Sequence, residues 1–201
     1  ANGDTLNGTR AVSDDEIIDF GCGSRECHMK QSEMTMQMHM LDIMYAPTDG
    51  LTLMVMPQWM TMDMTMAPLE HMGGGMGGHM ENHSHGTEGI GDTIFGAMIR
   101  PSKGPGVDLH TSLMFSPPTG SVDEKVMCAA HGGGGSPEPC FTHYMMQLGS
   151  GTWDFMPSLT YRGSAGPWTW GAQVGGTIRM EDENDSGYRL GDIFQATAWG
   201  S

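Results

Sequence analysis

Methionine recurs at every second residue over two neighbouring stretches. The even positions of the first carry Met34, Met36, Met38 and Met40, then Met44 beyond Asp42. Those of the second carry Met54, Met56, Met60, Met62, Met64 and Met66, with Gln58 between. A loop follows with His71, Met72, Met76, His79, Met80, His83 and His85 among glycines, with Asp63, Glu70 and Glu81 nearby. Thioether sulfur is a soft ligand that selects Cu(I), and imidazole suits Cu(II), zinc and nickel. Glycines let such a loop fold around an ion. The bland alternative is that methionine, a flexible apolar filler, only packs. Eleven methionines on one alternating face, followed by a Met/His loop, favour copper as a ligand of this region. The imidazole part should weaken below about pH 6.5, where a free histidine protonates, whereas thioethers do not titrate. His39 falls on the opposite face and His110 lacks a visible partner.

Period two is a strand signal, so the elements carrying these residues are β-strands. Seven alternating segments are predicted, at 33–45, 50–64, 87–100, 106–116, 150–162, 167–180 and 187–200. In 150–162 the odd set is Trp153, Phe155, Leu159 and Tyr161, facing away from Ser158, Thr160 and Arg162. In 167–180, Trp168, Trp170 and Val174 oppose Gln173 and Arg179. Leu51 and Leu53 share the apolar face, and Gln195 the polar one. A hairpin closing at 46–49 would set Met40 near Met56 and Met36 near Met60. Tight turns at 46–49, 101–105 and 163–166 alternate with longer polar connections. The long loops expected are 1–32, 65–86 and 117–149. That alternation, with aromatics near strand ends (Tyr45, Trp59, Trp153, Tyr161, Trp168 and Tyr188), suits an up-and-down antiparallel transmembrane β-barrel. A transmembrane strand needs only about 9–11 residues, against roughly 20 apolar ones for a helix. A soluble β-sandwich would also alternate, but its strands usually run nearer 5–6 residues.

Composition narrows the classes. Of 201 residues, 31 are glycine and 22 methionine, and helix formers are sparse. The net charge of −15 argues against nucleic acid, which needs a basic face. Four cysteines fall in two local pairs, Cys22 with Cys27 and Cys128 with Cys140. An even count in close pairs predicts disulfides in an oxidising compartment, and short zinc-type spacing is lacking. His131 and His143 flank the second pair and read as solvated. Gly132 to Gly135 lacks the Lys-Ser/Thr of a phosphate loop, no nucleophile elbow is present, and the acidic run from Glu181 to Asp185 lacks EF-hand spacing. The expectation is a protein that is not an enzyme. The polar start implies that a signal segment was removed or lies upstream.

The segments Glu33 to Met40, Met44-Tyr45-Ala46-Pro47-Thr48-Asp49 and Leu51-Thr52-Leu53-Met54 resemble a family of bacterial outer-membrane proteins. That family is named for the phenol meta-degradation pathway and described as transporters. Glu88 to Asp92, Ser116 to Ser121, Gln147 to Thr152 and Gly187 to Asp192 resemble its later motifs, with the closest likeness to Met-rich members from copper-handling bacteria. The resemblance covers about 33–200. It implies a barrel of about 12 strands, of which about seven lie here, in the outer membrane, with lipid around it and no catalytic residues. The cysteine pairs and the Gly-Met-His loop depart from the pattern. The expected function is binding or passage of copper or a small solute. The alternative is a self-assembling cell-surface β-protein, a homo-oligomer whose methionines pack rather than ligate.

Overall fold

A computed structural model describes residues 6–7, 10–11, 13, 16, 29–68, 83–128 and 138–201. In chain order its strands are β1 (Leu6–Asn7), β2 (Arg10–Ala11), β3 (Met29–Met40), β4 (Ile43–Thr48), β5 (Leu51–Met56), β6 (Gln58–Pro68) and β7 (His83–Ile90). They continue with β8 (Ile94–Gly104), β9 (Val107–Ser116), β10 (Lys125–Cys128), β11 (Glu138–Phe141), β12 (Asp154–Ala165), β13 (Trp168–Arg179) and β14 (Ile193–Gly200). The described chain is almost wholly β, with a 3-10 turn at Tyr144–Met146. Every pairing whose register is defined is antiparallel.

The chain divides into two compact units, 1–37 with 61–87 and 125–141, and 38–60 with 88–124 and 142–201. The second holds a seven-stranded sheet in the order β14-β13-β12-β9-β8-β5-β4. The others are a three-stranded sheet β3-β6-β7 and the pairs β1-β2 and β10-β11. The expected all-β antiparallel architecture is present, but among the described residues no sheet closes on itself: β4 and β14 are the edges of the seven-stranded sheet.

Three expected strands are each broken in two. The segment 33–45 is interrupted at 41–42, 50–64 at Pro57, and 87–100 at 91–93. Pro57 has no N–H to give to a ladder. The breaks are tied together at one level. The Leu41 N–H donates to the Pro57 carbonyl (3.1 Å) and the Gly91 N–H to the Gln58 carbonyl (3.0 Å). The Gln58 side-chain amide donates to the Asp92 carbonyl (2.8 Å). The expected loops are correspondingly shorter. β3 starts inside 1–32, β6 and β7 run into 65–86, and 117–149 contains β10, β11 and the 3-10 turn.

Three hairpins close in two-residue turns at 49–50, 105–106 and 166–167. Strand order places all three at one end of the seven-stranded sheet. Gly106 (φ 73°) and Gly166 (φ 58°) hold the left-handed conformation that glycine adopts without steric cost. The turns lie further along the chain than expected because β4, β8 and β12 run on to Thr48, Gly104 and Ala165. In the first hairpin the register shifts between Tyr45 and Thr48, so that Met44 faces Met54. That is two residues out from the expected Met40–Met56 register. A two-residue slip leaves every side chain on its own face.

The parity of the faces is as expected. Leu53, Leu159, Trp170 and Val174 are exposed on one face of the seven-stranded sheet, each 41–45% accessible. Across that face runs an apolar row, Ile43, Val55, Phe95, Phe115, Phe155 and Ile178, one residue from each of six adjacent strands. The three phenyl rings are in contact, with centroids 6.2 and 5.0 Å apart.

The opposite end of the sheet is a hydrogen-bonded loop cluster. Asp92 accepts from the Gly120 N–H (2.9 Å) and the Ser150 N–H (2.6 Å). The Asn184 amide donates to the Ser150 carbonyl (3.1 Å). Tyr188 stacks on Tyr144 at 3.9 Å, so it belongs to this cluster rather than to a ring of aromatics along the sheet.

Candidate functional site

The second face of the seven-stranded sheet is built in levels, because antiparallel pairing puts directly opposed residues side by side. Near the loop end Asp154 pairs with Ser116 and Arg179. Asp154 and Arg179 form an ion pair, with side chains 5% and 14% exposed, and the Thr152 hydroxyl donates to Asp154 (2.8 Å). Towards the turn end, Arg162 is opposite Asp108, and Arg100 pairs with Asp108 at 3.2 Å. Between these charged levels the strands put no carboxylate or lysine on the face, and His110 is its one imidazole.

One neutral level is a row of thioethers. Met44 is opposite Met54, Met54 opposite Gly96, Gly96 opposite Met114, and Met114 opposite Met156. An added Cβ at Gly96 would lie 2.2 Å from the Leu113 carbonyl oxygen and 2.8 Å from the Met114 Cα, so only glycine fits there. A cavity of about 290 Å³ opens over this level. It is lined by Met54, Met56, Met114 and Met156, by Ser112 and Ser158, and by Gln173, Thr177, Gln195 and Thr197 from β13 and β14. None of its lining residues is charged. Gly175, on this face of β13, adds no side chain to the wall.

The methionines expected to act together are distributed differently. Met54 and Met56 are in the cavity wall. Met60 packs on the loop cluster: a Cβ at Gly91 would lie 2.9 Å from its sulfur. Met62 and Met64, on β6, are fully buried and serve as core. On β3, Met36, Met38 and Met40 are about half exposed, 48–51%, and Met34 is half-buried. The register thus runs the sulfur row across strands instead of along two of them. His71, Met72, Met76, His79 and Met80 lie outside the described residues, and so do Cys22 and Cys27. His83 and His85 lie on β7. Among the described residues no group of three or more His, Cys, Asp or Glu side chains is gathered to hold a metal.

Met114 and Met156 are the functional candidates that periodicity missed. Each is a single methionine in its own strand, and only the β9–β12 register brings them together. His110 sits on this face opposite Thr160, two levels from the sulfur row. His39 and His143 are exposed. Cys140 is disulfide-bonded. The pairing expected for it, with Cys128, rests on a side chain outside those described, although the backbones of Cys128 and Cys140 lie on paired strands. No protein-family model matches the chain, and no curated protein does.

Proposed function

We propose that the seven-stranded sheet is part of the wall of an outer-membrane β-barrel, with its apolar face in lipid and its methionine face lining a passage for a soft metal ion or small solute. The observation that carries this reading is the apolar row, with Ile43, Val55, Phe95 and Ile178 exposed and Phe115 and Phe155 half-buried between them, backed by exposed Leu53, Leu113, Leu159 and Val174. Soluble monomers rarely leave so large a contiguous apolar surface in water. Aromatics flank it: Trp59 and Trp153 near the loop end, Tyr45, Tyr161 and Trp168 near the turns, each at least 38% exposed. Strands β8, β9, β12 and β13 have 11, 10, 12 and 12 residues, against about 9–11 for a tilted membrane strand. The loop–turn asymmetry fits short turns on one side of a membrane and longer loops on the other. Closure needs further strands against the free edges, as the family resemblance implies.

A second reading has one observation in its favour. Every residue of β4 and of β14 is exposed, and such edges pair with other chains. In that reading the apolar face is covered by copies of the same protein, and the methionines pack.

One pair of variants separates the two. Val174 and Gln173 are neighbours on opposite faces of β13. Val174→Arg puts a charge in lipid, at a cost of about 2–4 kcal/mol near the bilayer centre, while Gln173→Arg puts it in the passage. Refolding into phosphatidylcholine vesicles should fall sharply for the first and hardly at all for the second. A parent protein that stays out of vesicles and forms concentration-dependent assemblies without lipid supports the surface protein and refutes the barrel.

A further inference from the structure

We propose that Met54, Met114 and Met156, with Met56 beside them, form a binding site for one soft monovalent cation, Cu(I) or Ag(I), on the concave cavity of the seven-stranded sheet. The inference rests on the passage reading above for its physiological role but not for its geometry. Three facts carry it. The thioethers of Met114 and Met156 belong to directly opposed residues, and such side chains lie about 4.5–5.5 Å apart at Cβ. Met54 is separated from Met114 by one strand, at roughly twice the 4.8 Å interstrand spacing, and the intervening residue is Gly96, which has no side chain to screen one sulfur from the other. The cavity over the row is about 290 Å³, ample for an ion that has kept part of its hydration.

The chemistry of the wall selects the ion. Hard divalent cations take carboxylate and carbonyl oxygens, and zinc takes imidazole, thiolate or carboxylate. Of these donors the cavity side chains offer only the amide carbonyls of Gln173 and Gln195, with no carboxylate, thiolate or imidazole. Neutral thioethers select Cu(I)-like ions by softness, and the surrounding amides and hydroxyls supply dipoles but no counter-charge. A site without counter-charge disfavours a second positive charge, so monovalent ions are preferred on electrostatic grounds as well. The site differs from the Met/His loop in sequence and in ligand type, and it adds Met114 and Met156, which no periodicity singles out.

The test uses the full chain in detergent micelles, with methionine methyl groups labelled with carbon-13 and Ag(I) as the probe. The methyl resonances of Met54, Met114 and Met156 should shift together and saturate at one ion, while those of Met62 and Met64 stay put. Zn(II) should move none of the three. Shifts confined to other methionines, or equal shifts with Zn(II), overturn the proposal without any mutation. In a second arm, Met54→Leu/Met114→Leu/Met156→Leu keeps volume and apolarity. It should lose about tenfold or more in Cu(I) affinity, measured against a chromophoric Cu(I) chelator. His39→Asn, an exposed change outside the cavity, should leave that component unchanged. Undiminished Cu(I) affinity in the leucine variant refutes the site. Vesicle insertion is scored in parallel: insertion without Ag(I) shifts sinks only the cation site, and Ag(I) shifts without insertion sink only the membrane reading.

Discussion

Asp92 offers the sharpest test of how the loop end is held. Its two carboxylate oxygens accept separately, one from the Gly120 N–H at 2.9 Å and the other from the Ser150 N–H at 2.6 Å. Three segments far apart in sequence meet at one side chain. A hydrogen bond to a charged group contributes roughly 1.5–3 kcal/mol when partly buried. Asp92→Ala removes both and leaves two amides without their acceptor, so a loss of about 3–6 kcal/mol is expected from the two bonds together. Asp92→Asn keeps one acceptor oxygen. Its NH2 group must face the other amide, donor against donor, so about half to two thirds of that loss should remain. Unfolding in guanidinium chloride, followed by tryptophan fluorescence, gives the two values. Hydrogen exchange should show the Gly120 and Ser150 amides losing protection first. If both variants cost under about 0.5 kcal/mol, the range of an ordinary surface change, the cluster is not held through Asp92 and the reasoning fails.

The Asp154–Arg179 pair predicts strong coupling. Each side chain is largely buried, so Asp154→Asn or Arg179→Met alone should cost about 3–5 kcal/mol by stranding its partner, and Asp154→Leu/Arg179→Met should cost clearly less than the sum. Additive losses in the same unfolding assay would show that the pair is not coupled. For the cysteines, non-reduced peptide mapping should recover Cys128 joined to Cys140. Reduction should loosen the β10–β11 hairpin, seen by hydrogen exchange, and leave the melting of the seven-stranded sheet nearly unchanged, because a short closed loop constrains the unfolded chain little. A free Cys128 thiol would exclude that pairing.

Much of the fold was legible because face parity is a local property. Val174 against Gln173, and Trp170 against Gly171, could be sorted from period two alone, since neighbours in a strand point to opposite faces whatever the strand pairs with. The breaks were not legible in the same way. Pro57 signals one of them, but nothing local marks those at 41–42 and 91–93, which are bridged by the hydrogen bonds that Leu41 and Gly91 make across strands. The methionine row suffered from the opposite problem. A run such as Met60-Met62-Met64 is conspicuous in sequence, yet the structure spends Met62 and Met64 on packing. The sulfurs that share a cavity, on Met54, Met114 and Met156, come from three hairpins. Their proximity is set by register, and register in the first hairpin depends on an irregularity between Tyr45 and Thr48 that moves its turn to 49–50.

The unequal ends of the seven-stranded sheet have a consequence for how such a sheet could enter a bilayer. At one end the chain reverses three times through two-residue turns whose one charge is Asp49, with Lys103, the Arg100–Asp108 pair and Arg162 on the strands just behind them. At the other end sit Asp92, Asp123, Glu124 and the run Glu181 to Asp185, several of them fixed in the hydrogen-bonded cluster. Carrying charges through hydrocarbon costs several kcal/mol apiece. In the proposed membrane reading the turn end, with a mixed and partly paired set of charges, would lead, and the acidic end would stay on the side from which the protein arrived. Orientation would then be decided kinetically, at the first crossing, with no need for a receptor to read it.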